Sequence, residues 1–303
     1  MKTRILIFVL MLTGMVSFAQ QDSQYTQYMY NTITINPAYA GSRGAMSILG
    51  LYRTQWVGLD GAPKTAAVSV HTPINETNLG VGVSFINDEI GPTTENAISV
   101  DVSYTVPVGE ETKLSFGLKG TGNFFNLDNG KLNAVNQSDP SLQSTNSFKP
   151  NIGAGVYLHS NKYYVGLSVP SFIENKNKYD ANNVAVYTEA LNYYLIGGYV
   201  FDLSPSVKFK PAVLTKMVMG APLQIDGSAN FMLWDKLVLG AAYRWDAAFS
   251  AMAGFQISDQ LYAGYAYDHE TTNLRNYNSG SHEIFLRFEL FSNYNKIISP
   301  RFF

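Results

Sequence analysis

The sequence predicts an all-β protein, namely a transmembrane antiparallel β-barrel of about 14 strands with an N-terminal extension. The first observation behind this is the segment 97–106, AISVDVSYTV, in which apolar side chains alternate with hydroxyls and one carboxylate. Successive side chains of a strand point to opposite faces, so one face is fully apolar and the other is polar. This pattern suits a wall with lipid outside and a hydrated bore inside. Its length of about ten residues matches a tilted membrane-crossing strand.

Composition is the second observation. Of the 303 residues only 15% are charged, whereas 25 are glycine, 20 tyrosine and 18 phenylalanine. Soluble domains carry about 25% charged residues. No window beyond the N-terminus holds the ~18 apolar residues of a membrane helix, and the mean hydropathy is near zero. Outer-membrane barrels have this profile, because alternation dilutes their hydrophobicity.

The connections between the predicted strands are the third observation. If both termini face the periplasm, connections after odd-numbered strands lie outside the cell. The three longest connections, 126–149, 170–187 and 269–280, all follow odd-numbered strands, and the connections after even-numbered strands are short. Long outer loops and short periplasmic turns are typical of outer-membrane barrels. A soluble sandwich has no reason to sort its connections in this way.

Residues 1–19 are predicted to be a signal peptide. Lys2 and Arg4 supply the positive start, an apolar run follows, and Ser17 and Ala19 are small residues at the expected cleavage positions. Cleavage would leave 21 − 2 = 19 basic and 23 acidic residues, a net charge of −4. Such a mild acidic balance gives no reason to propose a nucleic-acid partner.

Residues 20–44 form the predicted N-terminal extension and show no clean periodicity. Asn36 and Pro37 predict a turn or an extended segment that interrupts regular structure. Gly41 and Gly44 predict a flexible backbone before the first strand. The segment either lines or plugs the lumen or lies in the periplasm as a docking segment. Its four tyrosines argue against a disordered leader, because disordered segments are poor in aromatic residues.

The barrel is predicted over residues 45–291 and a C-terminal tail over 292–303. The fourteen predicted strands are 45–57, 64–72, 78–87, 95–106, 112–125, 150–158, 162–169, 188–201, 206–217, 221–233, 236–245, 248–257, 260–268 and 281–291. The first strand alternates poorly, so its register is undefined. Fourteen strands enclose a bore wide enough to need a plug, an occupying partner or a channel role.

Aromatic residues concentrate near the predicted strand ends and favour two interfacial girdles. These residues are Trp56 and Trp245 at the outer ends and Trp234, Tyr163, Tyr199 and Phe201 at the inner ends. The glycine pairs Gly80-x-Gly82 and Gly153-x-Gly155 lie inside strands without a following helix. They therefore favour bending or a close approach of two chains over dinucleotide binding.

No catalytic or metal-binding pattern is present in the sequence. The four histidines are scattered, none at ligand spacing with a second ligand, and the chain has no cysteine. There is no serine-hydrolase elbow and no zinc-protease motif. The sequence therefore predicts neither an enzyme nor a cofactor.

Four segments together resemble the PorP/SprF family of outer-membrane proteins associated with the type IX secretion system. They are QYTQYMYNTITINPAYAG (24–41), RTQWVGLDGAPKT (53–65), GSHEIFLRFEL (280–290) and the C-terminal SPRFF. The resemblance implies one barrel that acts with type IX secretion components in the outer membrane. It further implies support for export and surface retention of large proteins such as gliding adhesins, with the C-terminal domain of a secreted surface protein as partner.

Three hypotheses about function follow from the sequence. The first is a secretion and anchoring partner that binds a cargo's C-terminal domain, surrounded by outer-membrane lipid. The second is a general outer-membrane porin or uptake channel. The third is an outer-membrane enzyme, for which the sequence offers no catalytic cluster.

Two short stretches are the candidate partner-binding residues. They are Asn36, Pro37, Tyr39 and Gly41 in the extension, and Gly58, Gly61 and Pro63 in the first outer loop. The structural alternative is ordinary turn chemistry, because Asn-Pro and Gly-Ala-Pro are common turn sequences.

Overall fold

The structure is a computed structural model. It describes residues 25–74, 77–131, 145–174, 176–178, 185–188, 191–219 and 221–290. The predicted signal peptide (1–19), the first residues of the extension (20–24) and the predicted tail (292–303) lie outside the described residues.

The described chain is almost entirely β-structure. The strands are β1 (Met46–Thr54), β2 (Lys64–Pro73), β3 (Leu79–Ile90), β4 (Thr93–Pro107), β5 (Lys113–Leu127), β6 (Thr145–His159), β7 (Tyr163–Val169), β8 (Lys176–Lys178), β9 (Ala185–Thr188), β10 (Asn192–Tyr199), β11 (Phe201–Ser204), β12 (Val207–Val218), β13 (Gln224–Leu233), β14 (Leu237–Arg244), β15 (Ala248–Gln256), β16 (Leu261–Glu270) and β17 (Ser281–Leu290). Short 3-10 turns cover Thr32–Thr34, Pro37–Tyr39, Asn129–Lys131 and Asn273–Asn276.

Fourteen of these strands close into one antiparallel barrel. Each strand pairs with its neighbour, β1 pairs with β17, and β10 pairs with β12 to complete the ring. The short β11 continues β10 after a break at Val200 and pairs with β12, whereas β8 and β9 form a separate small hairpin. The predicted fourteen-stranded antiparallel barrel is therefore confirmed.

The wall shows the alternation from which it was predicted. On β4, Val100 and Val102 face outward, and Val100 is 53% exposed. Ser99, Asp101 and Ser103 point inward and are buried. A strand with one apolar and one polar face therefore forms a wall with an apolar exterior, as lipid requires.

The first strand alternates poorly because the bore is filled. Leu49 and Leu51 are apolar although they point into the bore. Both are buried in one apolar cluster with the N-terminal extension. The sequence predicts a hydrated bore and leaves open whether the N-terminal extension plugs it. In the described residues, the chain's own residues 25–41 occupy the middle of the bore. Inward apolar side chains on β1 are therefore part of a core.

The barrel has two distinct ends. At the inner end, where β1 begins with Met46, the strands join by short turns such as 160–162 and 234–236. At the outer end, where β1 finishes with Thr54, the connections include the long 128–144 and 271–280. The termini of the barrel, Met46 and Leu290, are paired at the inner end.

Outward-facing aromatic rings collect near both ends of the wall. At the inner end the rings of Tyr163 and Tyr199 stack at 6.5 Å, and those of Phe209 and Phe231 lie 4.8 Å apart. At the outer end the pairs are Tyr243–Phe249 at 4.5 Å and Phe124–Phe148 at 5.0 Å. Two aromatic bands, one at each end of the wall, are what a membrane-spanning barrel presents to the lipid interfaces.

Trp56 differs from this pattern. It is only partly exposed, and its indole N–H donates a hydrogen bond to Glu270 Oε1 at 2.9 Å. Trp56 therefore ties the first outer loop to β16, in addition to lying near the outer end.

Candidate functional site

The N-terminal plug, residues 25–41, lies inside the bore and is almost completely buried. Its backbone folds on itself through local hydrogen bonds, such as Asn36 N–H to Thr32 O at 2.8 Å and Ala40 N–H to Pro37 O at 3.1 Å. The Asn36 side chain accepts the N–H of Ala38 at 3.0 Å and so caps the turn that Pro37 begins. The Asn-Pro pair thus forms this turn locally.

The outer end of the plug is held by a charge cluster. This outer latch consists of Arg53 on β1, Asp268 on β16 and Glu283 on β17. Arg53 lies 2.8 Å from Asp268 and 3.3 Å from Glu283, and only 2% of it is exposed. Such a buried ion cluster is stable only if its remaining hydrogen-bonding groups are also satisfied.

The plug supplies further hydrogen-bonding groups to the outer latch. The backbone N–H groups of Thr26 and Gln27 donate to the two carboxylate oxygens of Glu283 at 2.9 and 2.8 Å. Arg53 donates to Thr26 Oγ1 at 2.7 Å. The cluster has two carboxylates and one guanidinium, so the plug's N–H dipoles face its excess negative charge.

Side chains of the wall hold the middle of the plug. Lys119 Nζ lies 3.0 Å from Asp101 and donates to Ile33 O at 3.2 Å. Ser69 donates to the Asn31 side-chain oxygen at 2.9 Å. The polar inner faces of β2 and β5 therefore bind the plug directly here, and Asp101 of β4 pairs with Lys119.

The inner half of the plug is held in the same way. Hydrogen bonds run from Asn36 Nδ2 to Val156 O at 3.1 Å, from Ser168 Oγ to Ile35 O at 2.8 Å, and from Ser103 Oγ to Ala40 O at 2.7 Å. The Tyr39 ring packs edge-on against His71 and Tyr157 at 5.3 and 5.5 Å. This half is therefore fixed by both hydrogen bonds and aromatic packing.

A row of inward glycines makes room for the plug backbone. A Cβ on Gly80 would lie 2.3 Å from Ala40 O, and a Cβ on Gly117 would lie 2.1 Å from Ala38 N. A Cβ on Gly155 would lie 2.1 Å from the Asn36 side chain. The close approach of two chains that the glycine spacing indicated thus occurs here, between wall and plug.

The plug runs through the bore from the outer to the inner end. Thr26 lies beside Arg53, one residue before the outer end of β1, and Gly41 packs against Pro73 and Gly80 at the inner end. Gly41 and Gly44, with φ of +71° and +77°, then turn the chain back into β1. Residue 25 is thus nearest the outer opening.

The structure separates the two groups of predicted partner-binding residues. Asn36, Pro37 and Tyr39 are buried in the plug, with Gly41 at its inner end. The other three residues lie outside the bore in the β1–β2 connection; they are Gly58, Gly61 and Pro63. Sequence reasoning did not pick out the outer latch. A signal was present, because Arg53 and Glu283 fall in the segments RTQW and GSHEI.

The β1–β2 connection belongs to an outer cap, the set of connections 55–63, 91–92 and 271–280. Backbone hydrogen bonds join them: Val57 N–H to Gly280 O at 2.9 Å, Ser279 N–H to Val57 O at 2.8 Å, and Gly91 N–H to Gly61 O at 2.9 Å. Tyr277 in this cap is 70% exposed. The outer cap is therefore an ordered surface with a large exposed aromatic side chain.

Metal sites and membrane helices are both absent from the part of the chain that the structure describes. Within these residues, no group of three or more histidine, aspartate or glutamate side chains could hold a metal ion. The same residues contain no helix long and apolar enough to cross a membrane.

Several solved structures, among them the following three, are similar to this chain. The outer-membrane protein Omp33 of Acinetobacter baumannii is 8% identical, covering 81% of this chain and 98% of its own, with a TM-score of 0.48. The CymD monoaromatic hydrocarbon channel is 12% identical, covering 91% of this chain and 95% of its own, with a TM-score of 0.48. A FadL homologue of Pseudomonas aeruginosa is 12% identical, covering 84% of this chain and 92% of its own, with a TM-score of 0.44. None of the curated proteins matches the chain.

The family comparison is more informative than these fold matches. The family model described as the type IX secretion system membrane protein PorP/SprF matches residues 17–288. That range includes the plug, all three residues of the outer latch and the outer cap. The chain is an outer-membrane β-barrel and belongs to the PorP/SprF family of type IX secretion system membrane proteins.

Proposed function

We propose that this barrel supports the export and surface attachment of specific large proteins, such as gliding adhesins, by binding their C-terminal domain. Its other partners are type IX secretion components and the surrounding outer-membrane lipid. The family match supports a role in this secretion system. The observation that carries the binding role is the filled bore, with the outer cap above it.

The filled bore favours a binding role over a passive channel. A porin needs a continuous water-filled path. Here the plug occupies the bore and packs in one apolar cluster with strands on opposite sides of the barrel. The surface that a secreted domain could reach is then the outer end. The experiment must therefore distinguish the proposed binding role from the alternative, a porin or uptake channel.

The outer cap has the features of a binding surface. Tyr277 is exposed within it, and Trp245, 69% exposed, lies in the adjoining β14–β15 turn. Tyrosine and tryptophan side chains dominate the energetics of many protein interfaces. Gly58 and Gly61 are exposed in the connection that carries the cap, and we assign them to the same surface. Pro63 is buried, and we assign it the indirect role of shaping this connection. Asn36, Pro37, Tyr39 and Gly41 act indirectly, by holding the plug.

Co-purification from outer membranes tests this proposal. The barrel is isolated under mild detergent and bound proteins are identified by mass. We expect a fragment that includes the C-terminal domain of a secreted surface protein. A barrel that purifies alone and conducts ions stably in planar bilayers would support the porin alternative instead.

Substitutions locate the binding surface. Tyr277→Ala and Trp245→Ala should each reduce the recovered partner, because both side chains lie at the outer end. Trp234→Ala is the matched control, since Trp234 is 68% exposed but lies in an inner-end turn. Loss of partner with Trp234→Ala alone would contradict the assignment to the outer end. Deletion of the gene should abolish surface display of one or a few adhesins, and unchanged display of all of them would refute the proposal.

A further inference from the structure

We propose that the N-terminal plug is an intramolecular peptide ligand of the bore, held by the outer latch and released on a glycine hinge. The barrel then has a closed state, which the structure shows, and an open state with a continuous bore. This inference does not depend on which protein the outer end binds.

First, the plug is not part of the wall. Every described backbone-to-backbone hydrogen bond of residues 25–41 is made within the plug and its link to β1. The hydrogen bonds between plug and wall all use a side chain on one partner, such as Ser103 to Ala40 O or Lys119 to Ile33 O. The plug can therefore leave without breaking a strand ladder, as a bound ligand can.

Second, the wall is complete without the plug. Each of the fourteen strands has a paired neighbour on both sides, so the ring stays closed. Inward ion pairs that lie wholly within the wall include Lys119 and Asp101 at 3.0 Å and Arg244 and Asp226 at 2.8 Å. These ion pairs need no group of the plug and can persist if water replaces it. Fourteen strands fall between the eight of a filled barrel and the sixteen of an aqueous porin.

Third, the plug is attached differently at its two ends. The outer latch grips Thr26 and Gln27 at one end of the plug. At the other end the link 41–44 contains two glycines with positive φ, which adopt other conformations at little cost. Arg43 in this link pairs with Glu289 at the inner rim. Opening the latch would let the plug swing out of the inner end while still tethered.

The conductance of the full-length protein in planar bilayers tests the proposal. We expect the wild type to stay closed. Glu283→Gln keeps the side-chain shape but removes the charge that accepts two N–H groups of the plug. Hydrogen bonds to charged groups are strong, so the open fraction should rise roughly tenfold to a hundredfold. Asp202→Asn is the control, because its ion pair with Lys162 is exposed at the inner end; it should stay closed.

A second measurement covers the case in which Glu283→Gln does not fold. A protease site is inserted between Ser42 and Arg43 of the full chain, and the barrel is cut after folding and reconstitution. Cutting turns the plug into a separate peptide that is no longer tethered, so prolonged washing should remove it. We expect conductance to appear after cutting and washing, and to disappear when a synthetic peptide of residues 25–41 is added in excess. A wild type that conducts steadily would overturn the proposal. So would a folded Glu283→Gln barrel, or a cut barrel, that stays as closed as the uncut wild type.

Discussion

Gly117→Ala is the sharpest test of the packing between plug and wall. A Cβ at this position would lie 2.1 Å from the backbone N of Ala38 and 2.4 Å from the carbonyl carbon of Pro37. Ordinary Cβ contacts lie at 3.4–4 Å, so the plug would have to move by more than 1 Å (3.4 − 2.1 = 1.3 Å). The atoms in the way are backbone, which cannot rotate aside as a flexible side chain can.

The expected cost is that of overpacking a filled core, about 1–3 kcal/mol. Gly120→Ala provides the comparison on the same strand, because an added Cβ there meets nothing within 4 Å. That substitution should be neutral or should stabilise the barrel by up to about 1 kcal/mol, since alanine restricts the unfolded chain. The two alanines are therefore expected to change the unfolding free energy in different ways.

Urea unfolding in lipid vesicles, followed by tryptophan emission, measures both changes. The wild-type chain contains three tryptophans, and their emission makes an added fluorescent label unnecessary. A Gly117→Ala barrel that is as stable as the wild type would refute the close packing of the plug at this position. Equal destabilisation by Gly120→Ala would show that β5 tolerates no added methyl group and that the plug is not the cause.

Three further predictions concern the outer latch, the plug and the outward face of the wall. Arg53→Ala should cost about 3–5 kcal/mol, because it leaves two buried carboxylates without their cation. Lys162→Ala is the control and should fold as the wild type does, because its ion pair with Asp202 is exposed to water; heat-modifiable gel mobility would report the folded fraction of each. Asn36→Ala should cost about 1–3 kcal/mol, since it removes the acceptor of the buried Ala38 N–H and a donor to the Val156 carbonyl; urea unfolding equal to wild type would contradict this. Val100→Arg should cost about 2–4 kcal/mol if this position faces the middle of the bilayer, and an unchanged urea midpoint would place it elsewhere.

The strands could be predicted because their signal is local. Along 97–106 each side chain is apolar or polar according to the face it occupies, so ten residues suffice to recognise the wall. The register of the first strand could not be predicted, for a physical reason. Leu49 and Leu51 face the bore and are apolar because they pack against the plug, and nothing within the strand records that contact.

The outer latch could not be predicted from one sequence because its parts are far apart in the chain. Arg53 and Asp268 are 215 positions apart, and Thr26 and Glu283 are 257 apart. The alternation of polar and apolar residues can show only that Asp268 and Glu283 lie on the inner face of their strands. Only the closure of β1 against β17 brings them to one point in the bore.

The wall faces lipid on one side and the chain's own N-terminal plug on the other, and both proposals depend on this arrangement. Because the chain has no cysteine, a spin label can be attached to single cysteines introduced along 98–103. Its collisions with oxygen, which partitions into lipid, and with a water-soluble nickel chelate are then measured in vesicles. We predict high oxygen access at 98, 100 and 102, and low access of both reagents at 99, 101 and 103. Nickel access at the odd positions, or the absence of a two-residue period, would contradict the account.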